Sequence, residues 1–269
     1  MYAPREPGSC VVGQLLNFLD VELSKQTLRS ILRRILNPVR TLPPQEAYDR
    51  WAPTYDDYRD NAVILGEEHA LLPLLDALRL QSSSIADFGC GTGRHIRHFL
   101  DRGARQIIGI DNSLAMLGQA HKKFLTNNVS LVQSDLDHVP FRDGYFDAGL
   151  AALVLSHVAD IEPAIHEFAR LLKPGGRLII TDLHQSFEER GWKRTFMEMG
   201  TKFAVRNYPH SVKEYHEAFR SNNFVVEKEL EPPIDSALRP VFERTGHVET
   251  FERFQGQPLL LVFQVRKER

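Results

Sequence analysis

A short apolar run, Ile85-Ala86-Asp87-Phe88, leads directly into Gly89-Cys90-Gly91-Thr92-Gly93-Arg94-His95, and this junction constrains the chain more than any other stretch. Glycines at alternate positions let the backbone take left-handed angles and come close to a ligand. The spacing predicts a strand ending in a glycine turn and restarting as a helix near Arg94, whose first N–H groups would lack intrahelical partners and face whatever the loop holds. That is the loop of a nucleotide-type cofactor. A dinucleotide fingerprint G-x-G-x-x-G fits neither frame, because its last glycine would fall at Arg94 or at Ile96.

Size and composition narrow the field. The 269 residues are 42% hydrophobic and 25% charged, enough for one sizeable core with extensions. A net charge of −2 supplies no global field to gather nucleic acid, so no nucleic-acid partner is expected. Cys10 and Cys90 are too few for a disulfide framework or a four-thiolate metal site, and no metal ligand set is read. A reducing, cytoplasmic setting is the expectation, since no apolar run reaches membrane-span length and Met1 to Gly8 lacks a basic region leading into a signal core.

Residues 1–44 read as an N-terminal helical extension and 45–269 as the main domain. The extension is amphipathic, with Leu28, Ile31, Leu32, Ile35 and Leu36 on one side and Arg29, Arg33, Arg34 and Arg40 on or near the other. Pro38 stops it. Two readings stay open: packing on the domain or a second subunit as a homodimer contact, and peripheral contact with a membrane surface or acidic partner. From Ser84 the chain alternates strands and helices. Strands are predicted at Ile85–Phe88, Gln106–Ile110, Ser130–Gln133, Phe146–Leu150, Arg177–Thr181, Phe224–Glu229 and Leu259–Arg266, with helices starting near Arg94, Ser113, Ile161 and Ser211. Ser211 and Glu214 form a capping-box pattern, and Lys173-Pro174-Gly175-Gly176 reads as a turn. The pattern is α/β, a Rossmann-like, mostly parallel seven-stranded sheet with helices on both faces.

Asp111 closes the second strand about twenty residues beyond the glycine loop, where a carboxylate can accept both hydroxyls of a ribose; the alternative is an acid at a helix start before Asn112 and Ser113. Asp87, Asp111 and Asp135 each stand at or near the C-terminal end of successive strands, along the crevice where open α/β sheets bind ligands.

The run Asp87-Phe-Gly-Cys-Gly-Thr-Gly93 resembles motif I of the class I S-adenosylmethionine methyltransferases, and the likeness extends from Tyr48 to about Asp182. It implies an antiparallel final strand, S-adenosyl-L-methionine as cofactor with S-adenosyl-L-homocysteine as product, and a cofactor site at Asp87, Gly89, Gly91, Gly93, Asp111, Asn112, Ser134, Asp135 and Leu136. In the family the acid matching Asp135 accepts the adenine amino group. Phe146 to Val158 looks like the fourth strand and its loop, with Ala151 and Ala152 small enough for that backbone to lie against the methionine part. Tyr48-Asp49-Arg50-Trp51-Ala52-Pro53-Thr54-Tyr55-Asp56 resembles the entry segment of small-molecule methyltransferases acting on quinones and on malonyl-carrier protein. This implies that Tyr48 and Tyr55 cover the sulfonium; an aromatic pair that merely packs helices is the alternative.

Methyl transfer from such a cofactor asks mainly for alignment and exclusion of water, and for a base only if the nucleophile arrives protonated. His184 and His210 are the candidate catalytic bases, with a base-free mechanism open beside them, and His157 reads chiefly as a hydrogen-bonded, partly buried residue. The segment at about 185–210 interleaves Phe187, Trp192, Phe196, Met197, Met199, Phe203 and Tyr208 with Lys193, Arg194, Lys202 and Arg206. It reads as a substrate cover for a flat or lipophilic acceptor, including one bearing an anionic group, or as an ordinary lid or dimer surface. The expected activity is O- or C-methylation of a small molecule. A carrier-bound or macromolecular acceptor, a nicotinamide-dependent oxidoreductase and a non-catalytic cofactor-binding protein are the alternatives.

Overall fold

The computed structural model describes residues 39–57 and 61–268. The chain divides into compact units Met1–Arg40 and Thr41–Arg269. The amphipathic stretch from Leu28 to Leu36, with its predicted dimer or membrane role, lies outside the described residues. Within them, no helix is long and apolar enough to cross a membrane.

The elements in chain order are β1 (Arg40–Leu42), α1 (Pro44–Trp51), α2 (Ala62–Ala77), β2 (Ser84–Phe88), α3 (Ile96–Asp101), β3 (Gln106–Asp111), α4 (Leu114–Lys123), β4 (Val129–Gln133), β5 (Phe146–Ala152) and α5 (Glu162–Leu171). They continue with β6 (Leu172–Leu183), α6 (Ser186–Glu189), β7 (Thr195–Glu198), β8 (Thr201–Val205), α7 (Val212–Ser221), β9 (Phe224–Leu230), α8 (Arg239–Arg244), α9 (Val248–Phe254) and β10 (Leu260–Lys267). Seven strands form one sheet in the order β4-β3-β2-β5-β6-β10-β9. The pairs among β4, β3, β2, β5 and β6 are parallel, and β10 runs antiparallel to both β6 and β9. This is the predicted Rossmann-like sheet with its antiparallel last strand.

Strands buried on both faces explain the continuous apolar runs. Ala86 and Phe88 of β2 face a core shared with Ile165 and Phe168 of α5 and Phe219 of α7, while Ile85 faces the opposite core with Leu71 and Leu75 of α2 and Phe99 of α3. In α5, Ala164, Ile165, Phe168 and Ala169 recur at helical spacing and all are buried. Phe88 and Phe168 stack at 4.1 Å between centroids. The capping box at Ser211 forms as predicted: the Ser211 hydroxyl accepts from Glu214 N at 3.2 Å, and the Glu214 carboxylate accepts from Ser211 N at 2.7 Å.

Two local features differ from expectation. Lys173 to Gly176 is not a separate turn. β6 starts at Leu172, straight off α5, and pairs first at Phe146↔Leu172 and next at Ala148↔Arg177, so these residues bulge out of the ladder with Gly175 at φ +78°. Between β9 and β10 the chain builds α8 and α9, which bury Val241 and Phe251 beside Leu238 and Leu260. These helices are seven residues or shorter, and their apolar spacing is too brief to be legible.

Phe168→Ala should lower the unfolding free energy by about 3–5 kcal/mol, because the ring is fully enclosed and stacked. Urea unfolding measures this, and a loss under about 1 kcal/mol would contradict the packing described.

Candidate functional site

A cleft of about 450 Å³ opens at the C-terminal ends of β2, β3, β4 and β5 and is fronted by α1. Gly89, Gly91, Asp111, Asp135 and Ala152 lie on the sheet side, with Tyr48 and Tyr55 opposite. The parallel ladder sets this arrangement, since it brings the ends of successive strands to one edge.

All three loop glycines are left-handed, at φ +69° for Gly89, +54° for Gly91 and +80° for Gly93, but they serve different ends. A Cβ on Gly91 would meet nothing within 4 Å, so this position offers bare backbone to the cleft. A Cβ on Gly93 would sit 2.7 Å from the Phe124 ring, and one on Gly89 would overlap Val154. Gly93 is therefore a packing residue, and it lies outside the cleft lining. The helix expected near Arg94 follows as α3, with His95 at its N-cap and Ile96 its first residue. The loop is pinned to β3: Gly89 N and Cys90 N donate to Ile110 O at 2.7 and 2.9 Å, and Gly91 N donates to Asp111 Oδ2 at 2.8 Å.

The predicted acids diverge in environment. Asp111 accepts from Gly91 N and from Ser113 N, at 2.9 Å, while its carboxylate borders the cleft; burial raises its pKa. Asp135 is exposed at the far end and accepts from Asn112 Nδ2 at 3.2 Å. Ser134 and Leu136 line the same end. Asp87 is different. It is 1% exposed, lies behind the loop and not among the lining residues, and both carboxylate oxygens are buried without a hydrogen-bond partner. Desolvation moves its pKa up to about 7, against the attraction of Arg94. A buried carboxylate with no partner is the kind of group a ligand's cation satisfies.

Beneath the loop lies a cluster that pattern reasoning missed. Glu67 of α2 is fully buried; its Oε2 accepts from Arg94 at 2.6 Å and its Oε1 from the Thr181 hydroxyl at 3.1 Å. His95 Nε2 stands 3.4 Å from the same Oε1, an ion-pair distance without hydrogen-bond geometry. Burial opposes the charge on Glu67, but Arg94 and the neighbouring His95 hold its pKa down at about 2, while burial and the Arg94 charge lower the pKa of His95 itself.

The Tyr-Asp segment is read twice over by the structure. Tyr48 and Tyr55 face the cleft at 5.9 Å from each other, edge to face. The aspartates that follow them clip the segment down: Asp49 accepts from the Ser113 hydroxyl at 2.5 Å, and Asp56 accepts from the Thr92 hydroxyl at 2.7 Å and pairs with Lys123 at 2.5 Å. The Tyr48 hydroxyl lies 2.7 Å from His157 Nε2. His157 Nδ1 lies 3.3 Å from the Arg206 carbonyl, which can only accept, so Nδ1 carries the proton and Tyr48 donates to Nε2. Burial, then the charge of Arg194, holds the His157 pKa down at about 3, and burial pushes the Tyr48 hydroxyl well above its ordinary range.

Several predicted residues lie elsewhere. His184 turns its Nδ1 to Ser186, 2.7 Å from the hydroxyl, with Nε2 3.6 Å from Glu231, and does not line the cleft. His210 is buried against the loop after β5, with Nε2 donating to Val158 O at 2.8 Å, and does not line the cleft either. Ala151 points into the core; strand alternation gives the cleft position to Ala152. The expected cover is a β7–β8 hairpin. Phe196 stacks on Trp51 at 5.2 Å and Phe203 lies beside it, so these rings form a small core with Leu42 and Ala47. Of this segment Arg194 reaches the cleft, donating to the Tyr55 hydroxyl at 3.0 Å.

Residues 86–180 match the family described as a methyltransferase domain. The malonyl-[acyl-carrier protein] O-methyltransferase of Yersinia pestis is 29% identical over 147 residues, 54% of this chain and 50% of that one. The ubiquinone/menaquinone biosynthesis C-methyltransferase of Shewanella frigidimarina is 34% identical over 104 residues, 36% of this chain and 41% of that one. The match thus spans half or less of these relatives. A Listeria monocytogenes structure described as a putative S-adenosylmethionine-dependent methyltransferase superposes with a TM-score of 0.63 at 20% identity, covering 78% of this chain and all of that one. Residues 86–180 thus match a methyltransferase domain, and the sheet has the fold of structures described as dependent on S-adenosylmethionine. The site fits that group: Gly91 is open to close approach, Asp111 borders the cleft, and Asp87 holds an unsatisfied carboxylate.

In the folded protein Asp87 holds its proton to about pH 7, against 3.8 ordinarily. The native state therefore binds more protons than the unfolded chain in between, and stability falls as pH rises through this window. Asp87→Asn should remove that slope, so that the wild type loses at most about 4 kcal/mol relative to the variant between pH 4 and 7.5. Parallel unfolding curves across this range would contradict the assignment.

Proposed function

We propose that this protein transfers the methyl group of S-adenosylmethionine to a small-molecule acceptor, at oxygen or carbon. The observation that carries this reading is the order of groups along one cleft, bare backbone at Gly91, Asp111 beside it and Asp135 at the far end, with the unsatisfied Asp87 carboxylate enclosed behind the glycine loop. Asp87 would meet the cofactor's ammonium, Asp111 the ribose hydroxyls and Asp135, with Ser134, Leu136 and Asn112, the adenine end. When bound, the cofactor supplies a methyl group on a positively charged sulfur with a neutral leaving group.

The chain's own task is then placement and shielding. Tyr48 and Tyr55 border the cleft opposite the glycine loop, their hydroxyls held by His157 and Arg194. Asp49 and Asp56 hold this pair down against Ser113 and Thr92, which keeps water out and reduces the freedom of the reacting groups. Alignment of this kind is worth about 7–11 kcal/mol in favourable cases. The names of the relatives, one acting on a carrier protein and one in quinone biosynthesis, support a small or carrier-bound acceptor. Only two cysteines, with Cys90 buried and free, fit a reducing cytoplasmic setting.

S-adenosylhomocysteine should raise the melting temperature, adding about 2.7 kcal/mol at one hundred times its dissociation constant, whereas NAD and NADP should not. Calorimetry and thermal shift check this, and the opposite preference would end the proposal. Asp111→Ala should weaken S-adenosylhomocysteine binding roughly tenfold to a hundredfold. It should also lower the melting temperature of the free protein, because Asp111 restrains Gly91 and Ser113. Unchanged affinity would take Asp111 out of the site.

A further inference from the structure

Three histidines near the strand ends are engaged by other groups. His184 is turned to Ser186 and Glu231, His210 to the Val158 carbonyl, and His157 has Nδ1–H on the Arg206 carbonyl and Nε2 occupied by the Tyr48 hydroxyl. The low pKa of His157 agrees with that geometry. The acids lining the cleft, Asp111, Asp135, Asp137 and Asp160, stand toward β3, β4 and the start of α5. The opposite end, where α1 meets the β7–β8 hairpin, is cationic. A side cavity of about 190 Å³ lies there, lined by the apolar Trp51, Val63, Leu183 and Phe187 and by Asn61 and Thr195. Lys193 and Arg194 line it, and no acidic side chain among the described residues does. Arg194 lines both spaces, its guanidinium 5.8 Å from the Tyr48 ring and 6.0 Å from the Trp51 ring.

Resting on the methyl-transfer reading above, we propose that this side cavity receives the acceptor and that the acceptor is a small lipophilic carboxylate, its anionic group against Arg194 and Lys193. Apolar walls with cations at one end suit an amphiphilic anion, and a guanidinium fork matches a carboxylate in plane. A carboxylate, ordinarily ionised above pH ~4, is a nucleophile at neutral pH without help, whereas a phenol, ionising near ~10, would need a base at this end of the cleft. One carboxylate lone pair forms the new O–CH₃ bond as the S–CH₃ bond breaks, and that bond's electron pair returns to sulfur. The products are a methyl ester and a neutral thioether, and no proton moves.

The test is titration calorimetry of the full chain saturated with S-adenosylhomocysteine, using hexanoate and its neutral counterpart hexanamide as probes. Hexanoate should bind at least roughly tenfold tighter than hexanamide. Arg194→Met should abolish that preference and Arg194→Lys, which keeps the charge, should retain part of it, while Lys193→Met, at a residue outside the cleft lining, should weaken the preference and leave S-adenosylhomocysteine affinity within about threefold. Equal binding of the two probes, or a preference that survives Arg194→Met, overturns the proposal. It is also overturned if Arg194→Met weakens S-adenosylhomocysteine and not hexanoate, because Arg194 would then serve the cofactor's own carboxylate. If S-adenosylhomocysteine itself does not bind, the methyl-transfer reading fails, a result distinct from loss of the carboxylate preference alone.

Discussion

Glu67 places a negative charge where water cannot reach it, and the cofactor loop is tied to it through Arg94, which neutralises that charge, and the groups around them. Arg94 and His95 come from the loop's end, Thr181 from β6, and Glu67 itself from the helix that packs under the sheet. Three elements distant in sequence are therefore tied at one point. Removing one partner of a buried ion pair commonly costs about 3–5 kcal/mol, because the charge left behind has nowhere to go. The left-handed glycines can bend the loop many ways; the cluster below and the β3 carbonyl and carboxylate above select one.

Glu67 and Asp87, both buried near Arg94, end in opposite states. Glu67 has Arg94 and Thr181 in hydrogen-bonding contact and His95 close by, and its pKa falls; Asp87 has no hydrogen-bonding partner, and its pKa rises. The protein thus keeps one carboxylate satisfied for structure and one unsatisfied, directly behind the loop that faces the cleft. An unsatisfied group of this sort costs stability in the free protein, and that cost is recovered only by something positive arriving from outside.

The sheet and most of the cofactor edge were legible in the sequence because they rest on local chemistry. Alternating glycines can only be a turn, Asp111 follows at the spacing of one β-α-β unit, and Ser211 with Glu214 caps its helix by bonds between near neighbours. What escaped depends on long-range pairing. Glu67 pairs with residues 27 and 114 positions away, and the Tyr48–His157 bond closes a separation of 109. His157 was visible as a buried histidine but not as the partner of Tyr48. The segment from Phe187 to Tyr208 looked like a cover because its aromatics are dense, yet its rings pair with Trp51 and with Phe254 from other elements. Ala151 and Ala152 differ only in strand phase, which composition cannot fix when both neighbours are alanine.

The account stands on one cleft holding S-adenosylmethionine behind the Tyr48–Asp56 segment, and a crystal structure of the protein grown with S-adenosylhomocysteine addresses it directly. It should show the ligand along the strand ends, its ammonium toward Asp87, its ribose hydroxyls on Asp111 and its adenine near Asp135. Density for the ligand away from this cleft, or with Asp87 and Asp111 both untouched, would contradict it.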